Sequence, residues 1–328
     1  MRLLLALLAL FSVVGCAAPE QNPTQPVTES GTQGTTLTMP AEAMSLLGTE
    51  LFQLASDSAT TARQEAQLAE AQAALDAAPG QVDSWIWLGR RTAYLSRYRE
   101  AIDIYSEGLD QHPDSPHLLR HRGHRYLSLR EFDLAIADFV RAAELTDGTP
   151  DEVEPDGQPN ASGIPTSTLQ TNIWYHLSLA YYYKGEFAQA AEAMQACFDL
   201  AANNDMKVAA ADWLYMSLRR AGMDEAARSA IDFVTPELEI LENHAYHRRI
   251  LMYKGAMEPD DLLGDGAALE MATQGYGVGN WYLLQGQAER AAEIFEGVLA
   301  TGYWPAFGYI AAEADLARLE GYSPVAKQ

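Results

Sequence analysis

His117, His121 and His124 fall at helical spacing, and His244 and His247 repeat the pattern further along the chain. Imidazoles one helical turn apart can share a zinc ion. Neither cluster carries the glutamate of an H-E-x-x-H motif, which would supply a general base, and nothing in the sequence brings the two clusters together. Glu152, Glu154 and Asp156-Gly157 imitate the start of a calcium loop, yet Gly163 stands where such a loop closes with a carboxylate. Gly275, Gly277 and Gly279 alternate as in a phosphate loop but follow no strand, so they are expected to open a helix packed closely on its neighbour. No Walker loop, dinucleotide fingerprint or G-x-S-x-G elbow occurs. No catalytic residue, metal or cofactor is therefore expected, and Cys197 is expected to be a buried thiol that packs.

The remaining concentration of reactive groups is basic. The chain of 328 residues carries 45 acids against 22 bases, a formal charge of -23, which repels nucleic acid and anionic lipid surfaces. Against that background, eight of its eighteen arginines lie between Trp85 and Arg130. A guanidinium holds a carboxylate through two parallel hydrogen bonds. Such bases can equally form surface ion pairs with Glu100, Asp103 and Asp114, which are worth little.

At the N-terminus a single Arg2 precedes the apolar run Leu3 to Val14, too short to span a bilayer, which reads as a signal segment over residues 1–15. Its end, Val13-Val14-Gly15-Cys16, resembles the lipobox of bacterial lipoproteins. That resemblance implies a lipidated Cys16 at the mature N-terminus, and Ala17 after it implies the outer membrane. The membrane is then met through the lipid alone. Residues 16–40 are rich in Pro, Thr, Gln and Gly and bury too little apolar surface to order, so they are expected to be a flexible tether.

The elements that would position the bases come from an internal repeat. A shift of about 34 residues carries Gly89 onto Gly123, Ala101 onto Ala135, Tyr105 onto Phe139 and Gly108 onto Ala142. Trp174, Leu177, Ser178, Tyr181, Gly185 and Ala190 make a third copy. Leu214, Gly222, Ala227 and Ile231 mark a fourth, and Gly279, Tyr282, Gly286, Ala291 and Phe295 mark a later one. These residues resemble the signature of the tetratricopeptide repeat (TPR) family. The resemblance implies an all-α fold, a right-handed solenoid of helical hairpins over residues 41–328. Repeats are expected near 82–115, 116–149, 171–204 and 208–241, a degenerate one at 242–271 and another at 272–305. A cap is expected at 306–320 and an acidic, proline-broken insertion at 150–170.

In TPR geometry the first helix of each pair lines a concave groove. Carried onto this chain, that rule puts Arg90, His117, Arg120, His124, Asn172, Tyr175, Tyr182 and Arg249 in or near the groove, with His121 and His176 at its edge. The expected function is an envelope-bound scaffold that takes a protein or peptide segment in the groove. The alternative is an accessory module for a small anionic ligand or a metal.

Overall fold

The computed structural model describes residues 40–264 and 267–319; the expected signal segment, Cys16 and the tether up to residue 39 lie outside them. Helices dominate because the apolar positions recur at helical spacing, and side chains cap the starts of four of the described helices. Asp57 accepts from the Ala59 and Thr60 amides to open α1 (Ser58–Ala77). Ser115 accepts from the Leu118 amide, with Pro116 in the first turn, to open α4 (Pro116–Ser128). Thr168 and Thr171 form a reciprocal capping box on α6 (Leu169–Lys184), and Asn203 caps α8 (Asn204–Arg220). Each cap satisfies amides that the helix itself leaves without a partner.

Around these lie α2 (Val82–Tyr94), α3 (Tyr98–Gln111), α5 (Phe132–Thr146), α7 (Phe187–Leu200), α9 (Asp224–Ile231), α10 (His244–Tyr253), α11 (Ala268–Leu284), α12 (Ala288–Ala300) and α13 (Phe307–Arg318). Consecutive helices pack pairwise, α2 on α3, α4 on α5, α6 on α7, α8 on α9 and α11 on α12, and each pair packs on the next. The fold is an all-α solenoid. Helix α10 has no full partner, because Pro259 opens only a 3-10 turn, Pro259–Leu262. A small antiparallel ladder, β1 (Ala43–Met44) with β2 (Glu50–Leu51), precedes α1.

The repeat has a steric cause. A Cβ added at Gly89 would sit 2.2 Å from the Tyr105 ring, one at Gly123 2.9 Å from the Phe139 ring, and one at Gly279 2.4 Å from the Phe295 ring. In three separate units the first helix thus gives up a side chain so that an aromatic from the second can fill the space. In α11 the alternating glycines lie mid-helix, not at its start. Gly277 admits the Arg249 side chain, whose Nε would lie 2.2 Å from an added Cβ, and Gly275 admits Val298. The packing role expected for them holds, but helix α11 begins further upstream than the glycines suggest, at Ala268.

The turn between the two helices of a unit needs a left-handed residue, and Gly185, Gly222 and Gly286 supply it at φ 83, 77 and 75°. In the second unit that position is Arg130, at φ 67°. A side chain there costs about 1 kcal/mol or more, so something must hold it.

That something is the C-terminal helix. Arg130 Nη2 donates to Glu313 Oε2 at 2.5 Å and to the Trp304 carbonyl at 3.0 Å, and both charged side chains are buried. Helix α13 packs on α11 and α12 and crosses to α6. Asp315 receives Arg220 at 2.9 Å and the Tyr276 hydroxyl at 2.9 Å, Arg318 donates to the Tyr183 carbonyl at 2.8 Å, and Phe307 lies against His124, Tyr175 and His176. Gly308 lets the backbones meet, since a Cβ there would fall 2.2 Å from the Ala272 carbonyl oxygen. Trp304 also reaches back to the N-terminal ladder, donating to the Phe52 carbonyl at 2.8 Å and standing edge-on to Tyr98. The segment expected to cap the stack therefore also lies along the inner faces of α4, α6, α8 and α11.

Candidate partner-binding face

The first helices carry the expected site residues on two different stretches of inner wall. Arg90 projects from α2, the histidines and Arg120 from α4, Asn172 and His176 from α6, and the insertion between α5 and α6 lies over them. Its ends are pinned: the Asp151 carboxylate accepts from the Gln170 amide at 3.0 Å and the Thr168 hydroxyl at 2.5 Å, and the Leu169 amide donates to the Glu152 carbonyl at 2.7 Å. Between the pins almost every residue is exposed, including Val153 and Ile164. The one buried side chain from residue 147 to residue 168 is Glu154, 8% exposed.

Glu154 is held by the residues singled out for a groove ligand. Arg120 Nη2 lies 3.0 Å from its Oε2, Asn172 Nδ2 donates to the same oxygen, and His121 Nε2 lies 3.6 Å from Oε1. The next residue is held too: Arg90 Nη1 donates to the Pro155 carbonyl at 2.7 Å, while Arg90 stacks over Trp87. Gly157 passes so close to α2 that a Cβ there would lie 1.9 Å from the Tyr94 hydroxyl. His117 Nε2 sits 3.5 Å from Glu152.

The electrostatics favour a carboxylate in this seat. Burial, then Arg120, holds His121 well below the ordinary imidazole range, so it is neutral near pH 7. Its Nδ1 then accepts from Arg120 Nη1 at 3.0 Å, which leaves Nε2–H toward Glu154. Burial lowers the Arg120 guanidinium and Glu154 opposes that, and an arginine remains a cation throughout. The seat is imperfectly filled, because Arg120 Nε and Glu154 Oε1 are both buried without a hydrogen-bond partner.

The other expected residues are occupied elsewhere. His124 and His176 pack tilted against each other, 4.4 Å between centroids, beneath Phe307, and burial holds both imidazoles neutral, seconded by Arg125 for His124 and by Arg120 for His176. Tyr175 bonds Tyr246 at 3.1 Å. Tyr182 is fully buried, its hydroxyl 2.7 Å from that of Tyr276. Arg249 is fully buried as well, 2.8 Å from Asp212 and donating to the Thr273 carbonyl at 3.1 Å. Tyr182 and Arg249 are thus core residues that face no groove, since the helical period that turned them inward does not reveal how far neighbouring helices close over them. Cys197 is fully buried and burial raises its thiol, so it is a packing residue. Among the described residues no group of three His, Cys, Asp or Glu side chains is arranged to hold a metal ion.

Sequence reasoning missed the residues that close the inner wall: Trp304, Phe307, Glu313 and Arg130. The available signal was an arginine where the repeat wants glycine, together with two acids, Glu313 and Asp315, set in an otherwise small and apolar helix.

Comparison with known proteins places one unit firmly. The family described as tetratricopeptide repeat matches residues 171–204, which is α6 and α7 with the turn between them. No curated protein matches the chain. Among solved structures, YrrB, described as a TPR protein with an unusual peptide-binding site, is 14% identical over 70% of this chain and 91% of its own, with a TM-score of 0.41. A tetratricopeptide repeat protein from Parabacteroides merdae is 15% identical over 78% of this chain and 94% of its own, with a TM-score of 0.46. The chain thus carries a tetratricopeptide repeat at residues 171–204, embedded in a stack of helical hairpins of which three others share a glycine-to-aromatic contact.

Proposed function

We propose that this protein is a lipid-anchored envelope scaffold that receives an acidic segment of a partner protein on the N-terminal arc of its inner wall, formed by α2, α4 and the start of α6. A TPR fold implies an interaction scaffold. The finer reading rests on one observation, the seat of Arg120, His121 and Asn172, with Arg90 beside it, closing on a carboxylate and the backbone carbonyl after it. These groups recognise an extended acidic chain: two donors to a carboxylate fix its side chain and Arg90 fixes its backbone register. The C-terminal arc of the same wall is filled by α13 and offers no comparable room. Repeats of this kind serve as scaffolds, and no catalytic role is assigned to the histidines, which are held neutral under packed aromatics.

The anchor is the expected diacylglyceryl group on Cys16, carried on the tether of residues 16–40, which would hold the scaffold at the outer membrane. The test is crosslinking in the native envelope followed by mass spectrometry, with Arg90→Glu and Arg120→Glu together as the variant and Cys16→Ser as the localisation control. Loss of a crosslinked partner in the double variant, with the helical content intact, supports the reading. An unchanged set of partners contradicts it.

A further inference from the structure

Glu154 is the one buried side chain of a strap that is otherwise exposed, and it is a carboxylate, the kind of group that burial disfavours unless it is paired. Nothing apolar drives the strap inward: Val153 and Ile164, its larger aliphatic side chains, stay in solvent at 61% and 56% exposure. What holds the middle of the strap is a short list of polar contacts, from Arg120, Asn172 and the neutral His121 to Glu154 and from Arg90 to the Pro155 carbonyl. These are also the contacts expected between this wall and a ligand. We infer that residues 151–157, Asp-Glu-Val-Glu-Pro-Asp-Gly, are a tethered stand-in for the partner, which competes in cis for the seat, and that the partner's segment carries a glutamate followed by a residue that presents its carbonyl to Arg90.

This inference rests on the proposed function and adds to it the ligand's chemistry and the means of its control. Proline after the glutamate fits because Arg90 takes only the carbonyl of that residue, and the exposed ring leaves its absent amide without consequence. The strap does not saturate its seat. Arg120 Nε and Glu154 Oε1 are buried without hydrogen bonds, and an unsatisfied buried group of this kind is destabilising. A segment free of the pins at Asp151 and Thr168 can turn its carboxylate to face Nε and Nη2 of Arg120 together, the two-bond geometry the strap misses. Displacement is therefore favourable once the tether's advantage in local concentration, about millimolar for a short loop, is met.

The experiment titrates a synthetic peptide of residues 150–160 into the full chain, solubilised in detergent, and into its Glu154→Ala variant, by calorimetry or fluorescence anisotropy. The expected result is binding to Glu154→Ala about tenfold or more tighter than to the unaltered chain, since the competitor has lost its side chain. The peptide carrying Gln in place of Glu154 should lose that binding, and Arg120→Gln added to Glu154→Ala should abolish it. Limited proteolysis between residues 152 and 164 reports the strap directly and should quicken in Glu154→Ala while the thermal midpoint barely moves. Equal affinity for the two chains, binding that survives Arg120→Gln, or an unchanged cleavage rate overturns the inference. If the peptide shows no preference yet partner crosslinking still depends on Arg90 and Arg120, the tethered competitor is wrong and the scaffold reading stands; if crosslinking is also unaffected, both fall.

Discussion

The inner wall of this solenoid is covered twice, by two segments that hold on in opposite ways. Over α6, α8 and α11 lies α13, a regular helix whose own backbone bonds are internal, whose Gly308 meets the Ala272 carbonyl, and whose Glu313 and Asp315 are buried against Arg130 and Arg220. Over α2 and α4 lies an irregular strap, exposed along most of its length and fastened in its middle by one carboxylate and one carbonyl. The first is part of the core and its removal exposes apolar surface and stranded charges. The second can leave with little apolar cost, because water re-solvates a lone glutamate and the arginines it frees. Under the proposed reading, the difference gives the structural role to the C-terminal arc and the exchangeable role to the N-terminal one.

The comparison breaks most severely at Glu313. Replacing it with Ala leaves Arg130 buried, in a strained left-handed backbone and without its acid, and breaking a buried pair in this way costs about 3–5 kcal/mol. Urea unfolding should show that loss, whereas Glu154→Ala should cost about 1 kcal/mol or less, since Arg120 hydrates once the strap departs. Comparable losses in the two variants would erase the distinction between the arcs.

Acid should act next most strongly, through the imidazoles at the join of the two arcs. His121, His124 and His176 are held well below their ordinary value, first by burial and then by Arg120 or Arg125, with Arg90 and His117 adding to His121 and Glu154 facing it. An unfolded imidazole binds its proton near pH 6.5 while the folded one does not, so the unfolded state takes up more protons and stability falls as pH drops below that point. The loss is about 1.4 kcal/mol per histidine per pH unit until the folded value is reached. Urea midpoints measured from about pH 7.5 to about pH 5.5 should fall accordingly, and His124→Asn should remove about one proton's share of the slope. A flat profile would mean that the imidazoles are solvated.

Two glycines give the smallest and sharpest contrast. Gly308→Ala sets a methyl against a backbone oxygen that cannot turn aside, for about 1–3 kcal/mol or more. Gly157→Ala meets only the ends of the Tyr94 and Arg90 side chains, which can swing away. Its thermal midpoint should stay within about two degrees of the parent while cleavage of the strap quickens.

What was legible in the sequence follows from distance along the chain. The Gly89 to Tyr105 and Gly123 to Phe139 contacts lie within one hairpin, so their spacing repeats and declares the helices and their order. The seat itself was legible in outline, because Arg90, Arg120 and Asn172 fall on first-helix positions that the repeat fixes. Its occupant was not, since Glu154 sits in a segment with no period. Nor was the return of α13, whose Glu313 meets Arg130 across 183 residues of sequence. Arg249 illustrates the remaining limit: helical phase turned it inward, but only Asp212, an acid in the middle of the apolar α8, hints that it is sealed in the core.

Hydrogen exchange resolved by segment tests the central distinction most directly. Amides pinned in and beside the strap, those of Leu169 and Gln170 among them, should exchange through a local opening of low free energy and faster still when the acidic peptide displaces the strap. Amides of α13 should exchange only near the global unfolding limit. Exchange of α13 as fast as that of the strap, or a strap as protected as α13, would contradict the account.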